Sequence, residues 1–220
     1  MSAHFSLEEA FSMRRLTSWL LLIAGLSLTG LGVYDYYASK MAQSEAGREW
    51  SAQGNAEEPV PRSLPQPEQK SARPQPYFDP YKVGDTVAKL RLPGLETPLF
   101  VIEGTDQKEL KKGPGHMPGT ALPGVDGNCV IAGHRDTHFR ALEGIKKGDE
   151  IELETKYGTF RYQVRSMEVV LPTNVNSLYP TNDAVLHLIT CYPFRYVGHA
   201  PKRMVIEATL ARDNAVPVGQ

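Results

Sequence analysis

The segment His187-Leu188-Ile189-Thr190-Cys191-Tyr192-Pro193 decides how the rest of the chain is read. An apolar run from Ala184 to Ile189 leads to a thiol and is followed at once by Pro193, which has no N–H to give to a sheet ladder. The run therefore reads as a strand that ends with Cys191 at the mouth of a loop. Two other segments have the same shape. Cys129-Val130-Ile131-Ala132 runs into His134, and Arg203 opens an alternating run that ends at Leu210. A nucleophile, a proton carrier and a cation thus sit at three strand ends, and a fold that gathers those ends has the parts of an acyl-transfer site.

Working outward, the chain beyond Lys82 is a series of short segments bounded by turn residues. They run Thr86 to Leu92, Pro98 to Glu103, Asn128 to His134, Glu150 to Thr155, Thr159 to Val170, Ala184 to Cys191 and Lys202 to Ala211. Such spacing predicts an all-β barrel. Asp106 to Lys111, capped by Thr105, and His138 to Ile145 read as short helices. No solenoid-type repeat is present.

The N-terminal part has a different character. Leu16 to Tyr34 are 19 consecutive uncharged residues, close to the roughly 20 that a helix needs to cross a bilayer. Arg14 and Arg15 precede the run and Asp35 follows it, an asymmetry that places the N-terminus in the cytoplasm and the remainder outside. The apolar stretch is longer than the h-region of a cleaved signal peptide, although Ser44-Glu45-Ala46 has the composition of a cleavage site. Between Gly54 and Pro80 lie seven prolines, at 59, 61, 65, 67, 74, 76 and 80, the composition of an extended spacer. The expected organisation is a cytoplasmic N-terminus over 1–15, a transmembrane anchor over 16–38, a Pro-rich linker over 39–80, a catalytic domain over 81–212 and a polar tail over 213–220.

Charge excludes little but is informative about nucleic acid. Lys and Arg total 24 against 25 Asp and Glu, so no basic field points to such a partner. The His and Cys spacings fit neither a zinc pattern nor an EF-hand loop, and the chemistry suggested here needs no cofactor. An extracytoplasmic position permits a disulfide between the two cysteines. If His134 sits beside Cys191, however, Cys129 is five residues back along the strand, about 16 Å away at ~3.3 Å per residue. A disulfide tolerates at most about 7 Å between Cα atoms, so Cys129 reads as a small buried hydrophobe.

The three strand ends resemble the sortases, membrane-anchored cysteine transpeptidases that attach proteins to bacterial surfaces. Leu188-Ile189-Thr190-Cys191 is similar to the family's TLxTC signature, with Leu186 and His187 ahead of it in place of the family's opening residues. The stretch Pro114 to Arg140, with His116-Met117-Pro118-Gly119-Thr120 and Gly133-His134-Arg135-Asp136-Thr137, is similar to the class D group. The resemblance covers residues 81 to 212. It implies a closed sortase-type β-barrel of about eight strands with short helices, behind the N-terminal transmembrane helix. It also implies catalytic roles for Cys191, His134 and Arg203, and substrate contact by His116 and Thr190. The partners it implies are a secreted protein bearing a C-terminal sorting motif and an amine acceptor, either a cell-wall peptide or a protein lysine. Pilin-polymerising relatives have a second membrane segment at the C-terminus, whereas Arg212 to Gln220 is polar, which favours a single anchor. Asp79-Pro80-Tyr81 has the composition of those relatives' lid motif but abuts the first strand.

The residue types suit the chemistry. A thiolate is intrinsically nucleophilic, imidazole titrates near ambient pH, and a guanidinium stays charged while offering a fork of donors to an oxyanion. Arg135, Arg140 and Arg195 are alternative cations near the site in sequence, but Arg203 has the family position. His187 shares a strand face with Cys191 by period-2 alternation and reads as a packing or supporting residue, while His138 and His199 read as structural or surface groups. Two other readings stay open: a thiol hydrolase that uses the same residues with water as acceptor, and a non-catalytic membrane-tethered β-domain.

Overall fold

The computed structural model describes residues 7–53, 81–196 and 198–211. The Pro-rich stretch, Asp79 and Pro80 of the lid-like tripeptide, and the polar tail lie outside the described residues. The chain divides into two units, residues 1–41 and 42–220.

The first unit belongs to one long helix, α1 (Leu7–Gln53). Its apolar side chains have no inward face: Trp19, Leu21, Leu26 and Leu31 are all well exposed. The span Ser18–Ala52 is long and apolar enough to be a candidate membrane crossing, with a mean hydropathy of 1.3.

Helix α1 continues well past position 38, so residues 39–53, expected as the start of the linker, are helical. The reason is compositional: the first proline after the apolar run is Pro59, and Ala38–Gln53 is dominated by Ala, Ser, Gln, Glu, Lys and Met, most of them good helix formers. The part of α1 within the second unit is joined to the barrel. Gln43 Oε1 accepts from the Phe100 N–H at 2.8 Å, while its Nε2 donates to the carbonyls of Lys112 at 2.7 Å and Phe100 at 3.2 Å. Ala46 is buried beside them.

The barrel is built from β1 (Thr86–Arg91), β2 (Leu99–Glu103), β3 (Gly115–His116), β4 (Gly127–Gly133), β5 (Glu150–Thr155), β6 (Gly158–Val170), β7 (Ala184–Tyr192) and β8 (Lys202–Leu210). It closes in the order β1-β2-β3-β4-β7-β8-β6-β5. Closure removes free sheet edges. Helix α2 (Gln107–Lys112) is capped by Asp106 rather than by Thr105. The expected helix over His138–Ile145 is a 3₁₀ turn at Arg140–Gly144.

Strands β4 and β7 run parallel, which explains their near-continuous apolar character. A strand covered on both faces has no polar alternation, and Cys129, Val130 and Ile131 are all buried. Leu90, Ile151, Leu153, Leu186, Leu188 and Ile206 fill the interior with Tyr162. The buried Tyr162 hydroxyl accepts from the Gly124 N–H at 2.7 Å, giving its polar end a partner within an apolar core.

Candidate active site

Strand pairing assembles the site. Cys191 and Arg203 are direct partners across β7 and β8. On the other side, Gly133 pairs with Thr190 across β4 and β7, so the next residue of each strand places His134 level with Cys191. Adjacent strands lie about 4.8 Å apart. Cys191 therefore occupies a strand flanked by the elements that carry His134 and Arg203, and its thiol is part-exposed.

Local bonds hold each of the three. Thr190 Oγ1 donates to the Gly133 carbonyl at 2.7 Å, joining β4 and β7 just behind the site. Gly133 is glycine because a Cβ there would lie 2.6 Å from the buried Phe139 ring. The His134 carbonyl accepts from the Phe139 N–H at 2.9 Å, closing the turn that follows β4. Arg203 Nη1 donates to the Lys202 and Ala200 carbonyls at 2.9 and 3.3 Å, which holds the guanidinium at the β8 end.

The other cations are engaged elsewhere. Arg195 and Arg140 both pair with Glu143, at 3.2 and 3.4 Å. Arg135 Nη2 donates to the carbonyls of Tyr196 and Gly198 at 2.9 and 3.0 Å, and its guanidinium sits 5.9 Å from the Tyr196 ring centroid. Arg135 thus ties the segment after His134 to the β7–β8 loop, a function not evident from its sequence position.

Two expected substrate contacts have other roles. His116 is 1% exposed; its Nδ1 lies 2.6 Å from Glu103 Oε2 and its Nε2 3.0 Å from the Ala121 carbonyl. The ring is aligned with Glu103 by the parallel pairing of β2 and β3, so it cross-links the barrel and has no open face. Thr190 is 3% exposed because alternation turns it to the opposite face of β7 from Cys191. It positions strands rather than meeting a ligand.

Cys129 and Cys191 are both free thiols. Cys129 pairs with Leu186, five residues before Cys191 on β7, and burial pushes its thiol well above the ordinary range, so it is unreactive. His138, read from sequence as a structural or surface group, is buried beside the site. Burial, followed by the charge of a protonated His134, pushes it down to about 4, with Asp136 pulling the other way. It is a neutral imidazole near neutral pH.

Comparison with known proteins agrees with this architecture. Residues 90–211 match the Sortase domain family model. Sortase D of Bacillus subtilis (strain 168) is 32% identical over 196 residues, 88% of this chain and 97% of that protein. The barrel superposes on a Clostridium perfringens Sortase D5 transpeptidase with a TM-score of 0.53 and 28% identity, over 59% of this chain and 81% of the other. With Listeria monocytogenes sortase A the TM-score is 0.55 at 27% identity, over 61% and 92% of the two chains. The chain belongs to the sortase family. It is a cysteine transpeptidase of class D-like character, similar over most of its length to Sortase D of B. subtilis.

Proposed function

We propose that this sortase is held in the membrane by α1 and acts at the outer surface, where it cleaves a C-terminal sorting motif of a secreted protein and joins the retained part to an amine. The observation that carries the mechanism is the side-by-side placement of His134, Cys191 and Arg203 at the ends of β4, β7 and β8. Cys191 Sγ bonds to the scissile carbonyl carbon as its proton passes to His134, and the oxyanion is met by the Arg203 guanidinium. The intermediate collapses by breaking the C–N bond, and His134 gives its proton to the departing amine, leaving a thioester on Cys191. An incoming amine then attacks the thioester, His134 takes its proton, and the C–S bond breaks.

The apolar helix with Arg14 and Arg15 on one side and Asp35 on the other supports an anchor with a cytoplasmic N-terminus. The acceptor is a cell-wall peptide amine or a protein lysine. The test uses the full-length protein in detergent micelles with a sorting peptide selected from a library, with and without a glycine-containing peptide or diaminopimelate, and separates products by mass. Ligated product that rises with amine supports transfer. Hydrolysis alone at every amine tried moves the reading to a thiol hydrolase that uses water.

A further inference from the structure

A cavity of about 340 Å³ opens between β6, β7, β8 and the β6–β7 loop, lined among others by Ser166, Glu168, Tyr179, His187, Val205 and Glu207. His187 is four residues before Cys191 on β7, and period-2 alternation puts both on one face. At ~3.3 Å per residue the cavity lies about 13 Å along the strand from the thiol. Glu207 is the direct β8 partner of His187, as Arg203 is of Cys191. The cavity and the candidate active site therefore share one continuous face.

The hydrogen bonds beneath the cavity fix the state of His187. The buried Asn128 Nδ2 donates to the Ser177 carbonyl and, at 3.2 Å, to the Tyr179 carbonyl, holding the β6–β7 loop down. Carbonyls only accept, so the amide nitrogen must point to the loop and Oδ1 must face His187 Nδ1, 2.6 Å away. Oδ1 is also only an acceptor, so the proton of a neutral His187 resides on Nδ1. Its Nε2 then presents a lone pair toward Glu207 Oε2, 3.6 Å away.

Burial lowers His187 below the usual histidine range, against the opposing pull of Glu207. The other titratable groups on the lining are the Glu168 carboxyl from β6 and the Tyr179 phenol from the loop. On the β4 side Asn128 is the polar partner of the ring. A lone pair facing a carboxylate is an arrangement that a hydrogen-bond donor placed between them relieves.

We propose that this cavity is a recognition subsite for a hydrogen-bond-donating side chain of the sorting peptide (ammonium, amide or hydroxyl) about four residues from the scissile bond, read by His187 Nε2 and the Glu207 carboxylate. The proposal rests on Cys191 being the acyl-forming thiol, since that fixes where the scissile bond lies.

The test uses the full-length protein in detergent micelles and a cleavable peptide in which each position within six residues of the scissile bond is varied through matched pairs: Lys against norleucine, Asn against Leu, Thr against Val. At one position three to five residues from the bond, the donor-bearing member is expected to be favoured roughly 10- to 100-fold in kcat/KM, the effect of a hydrogen bond to a charged group. Glu207→Gln, at a part-exposed position, should collapse the Lys preference, and His187→Leu should erase the Asn preference. Acidification protonates Nε2, which then pairs with Glu207 itself, so the preference should fade at low pH, a change that altered packing alone would not produce. Equal turnover of each pair at every position, or a preference that survives in both variants, overturns the subsite. Failure of Cys191 to form a thioester with any peptide overturns the underlying transpeptidase reading, whereas thioester formation without donor preference overturns the subsite alone.

Discussion

Thr190 and Gly133 are bonded to each other across β4 and β7, and they are the residues immediately before Cys191 and His134. The alignment of nucleophile and proton carrier therefore depends on a hydroxyl that never meets the substrate. Thr190→Val keeps the shape and removes the donor, leaving the Gly133 carbonyl buried without that partner. This should cost about 1–3 kcal/mol of stability and lower kcat more than it raises KM, whereas Thr190→Ser should recover most of both. Thermal melting and steady-state kinetics on the three proteins check it, and an unchanged kcat in Thr190→Val would show that the bond does not align the pair.

The two thiols should behave as different species. In the native protein a thiol reagent should label Cys191 and spare Cys129, and in denaturant it should label both, because burial both shields Cys129 and holds it protonated. Cys191→Ala should abolish acyl transfer with the fold retained. Cys129→Val should be nearly neutral, one small buried hydrophobe replacing another. Mass spectrometry of labelled protein and product assays of both variants provide the readouts.

For Arg203, charge without the guanidinium's planar fork should not suffice. Arg203→Lys should lose roughly 100- to 1000-fold in rate, the typical effect of removing one oxyanion donor. Arg195→Lys should be close to the parent, since Arg195 is well exposed and paired with Glu143. A parent-like Arg203→Lys would shift the oxyanion role elsewhere.

His138 makes stability depend on pH. Its folded pKa is about 4 against an ordinary 6.5, so protonation favours the unfolded chain. The cost is absent above about pH 6.5 and grows as pH falls toward about 4. His187 is lowered in the same direction and adds to the effect. His138→Gln should flatten the fall in melting temperature between pH 7 and 5 without removing it, and an identical slope in the two proteins would contradict the assignment.

The barrel and the three strand ends could be read from the sequence because period-2 alternation, turn residues and Pro193 are local signals. The strand β3 could not, because two residues, Gly115 and His116, have no period to detect. His116 and Thr190 were misread for a related reason: whether a polar residue beside a motif faces substrate or barrel interior depends on pairing partners such as Glu103 and Gly133, which are distant in sequence or on another strand. The bonds of Arg135 to Tyr196 and Gly198, and of Asn128 to Ser177, Tyr179 and His187, likewise span long sequence separations and leave no local trace. The helical run through Gln53 was legible in its composition but was grouped with prolines that begin only at Pro59.

Gln43 takes the place of a neighbouring strand, since its amide reads the N–H and C=O of Phe100 much as a ladder partner would. Soluble versions of the domain that begin near residue 81 discard that amide along with the hydrophobic anchor. They bare two peptide groups of β2 and the Phe100 ring that Gly47 packs against. Such versions should self-associate through this spot, so the customary trimming of an anchored enzyme for solubility would here introduce the stickiness it is meant to remove.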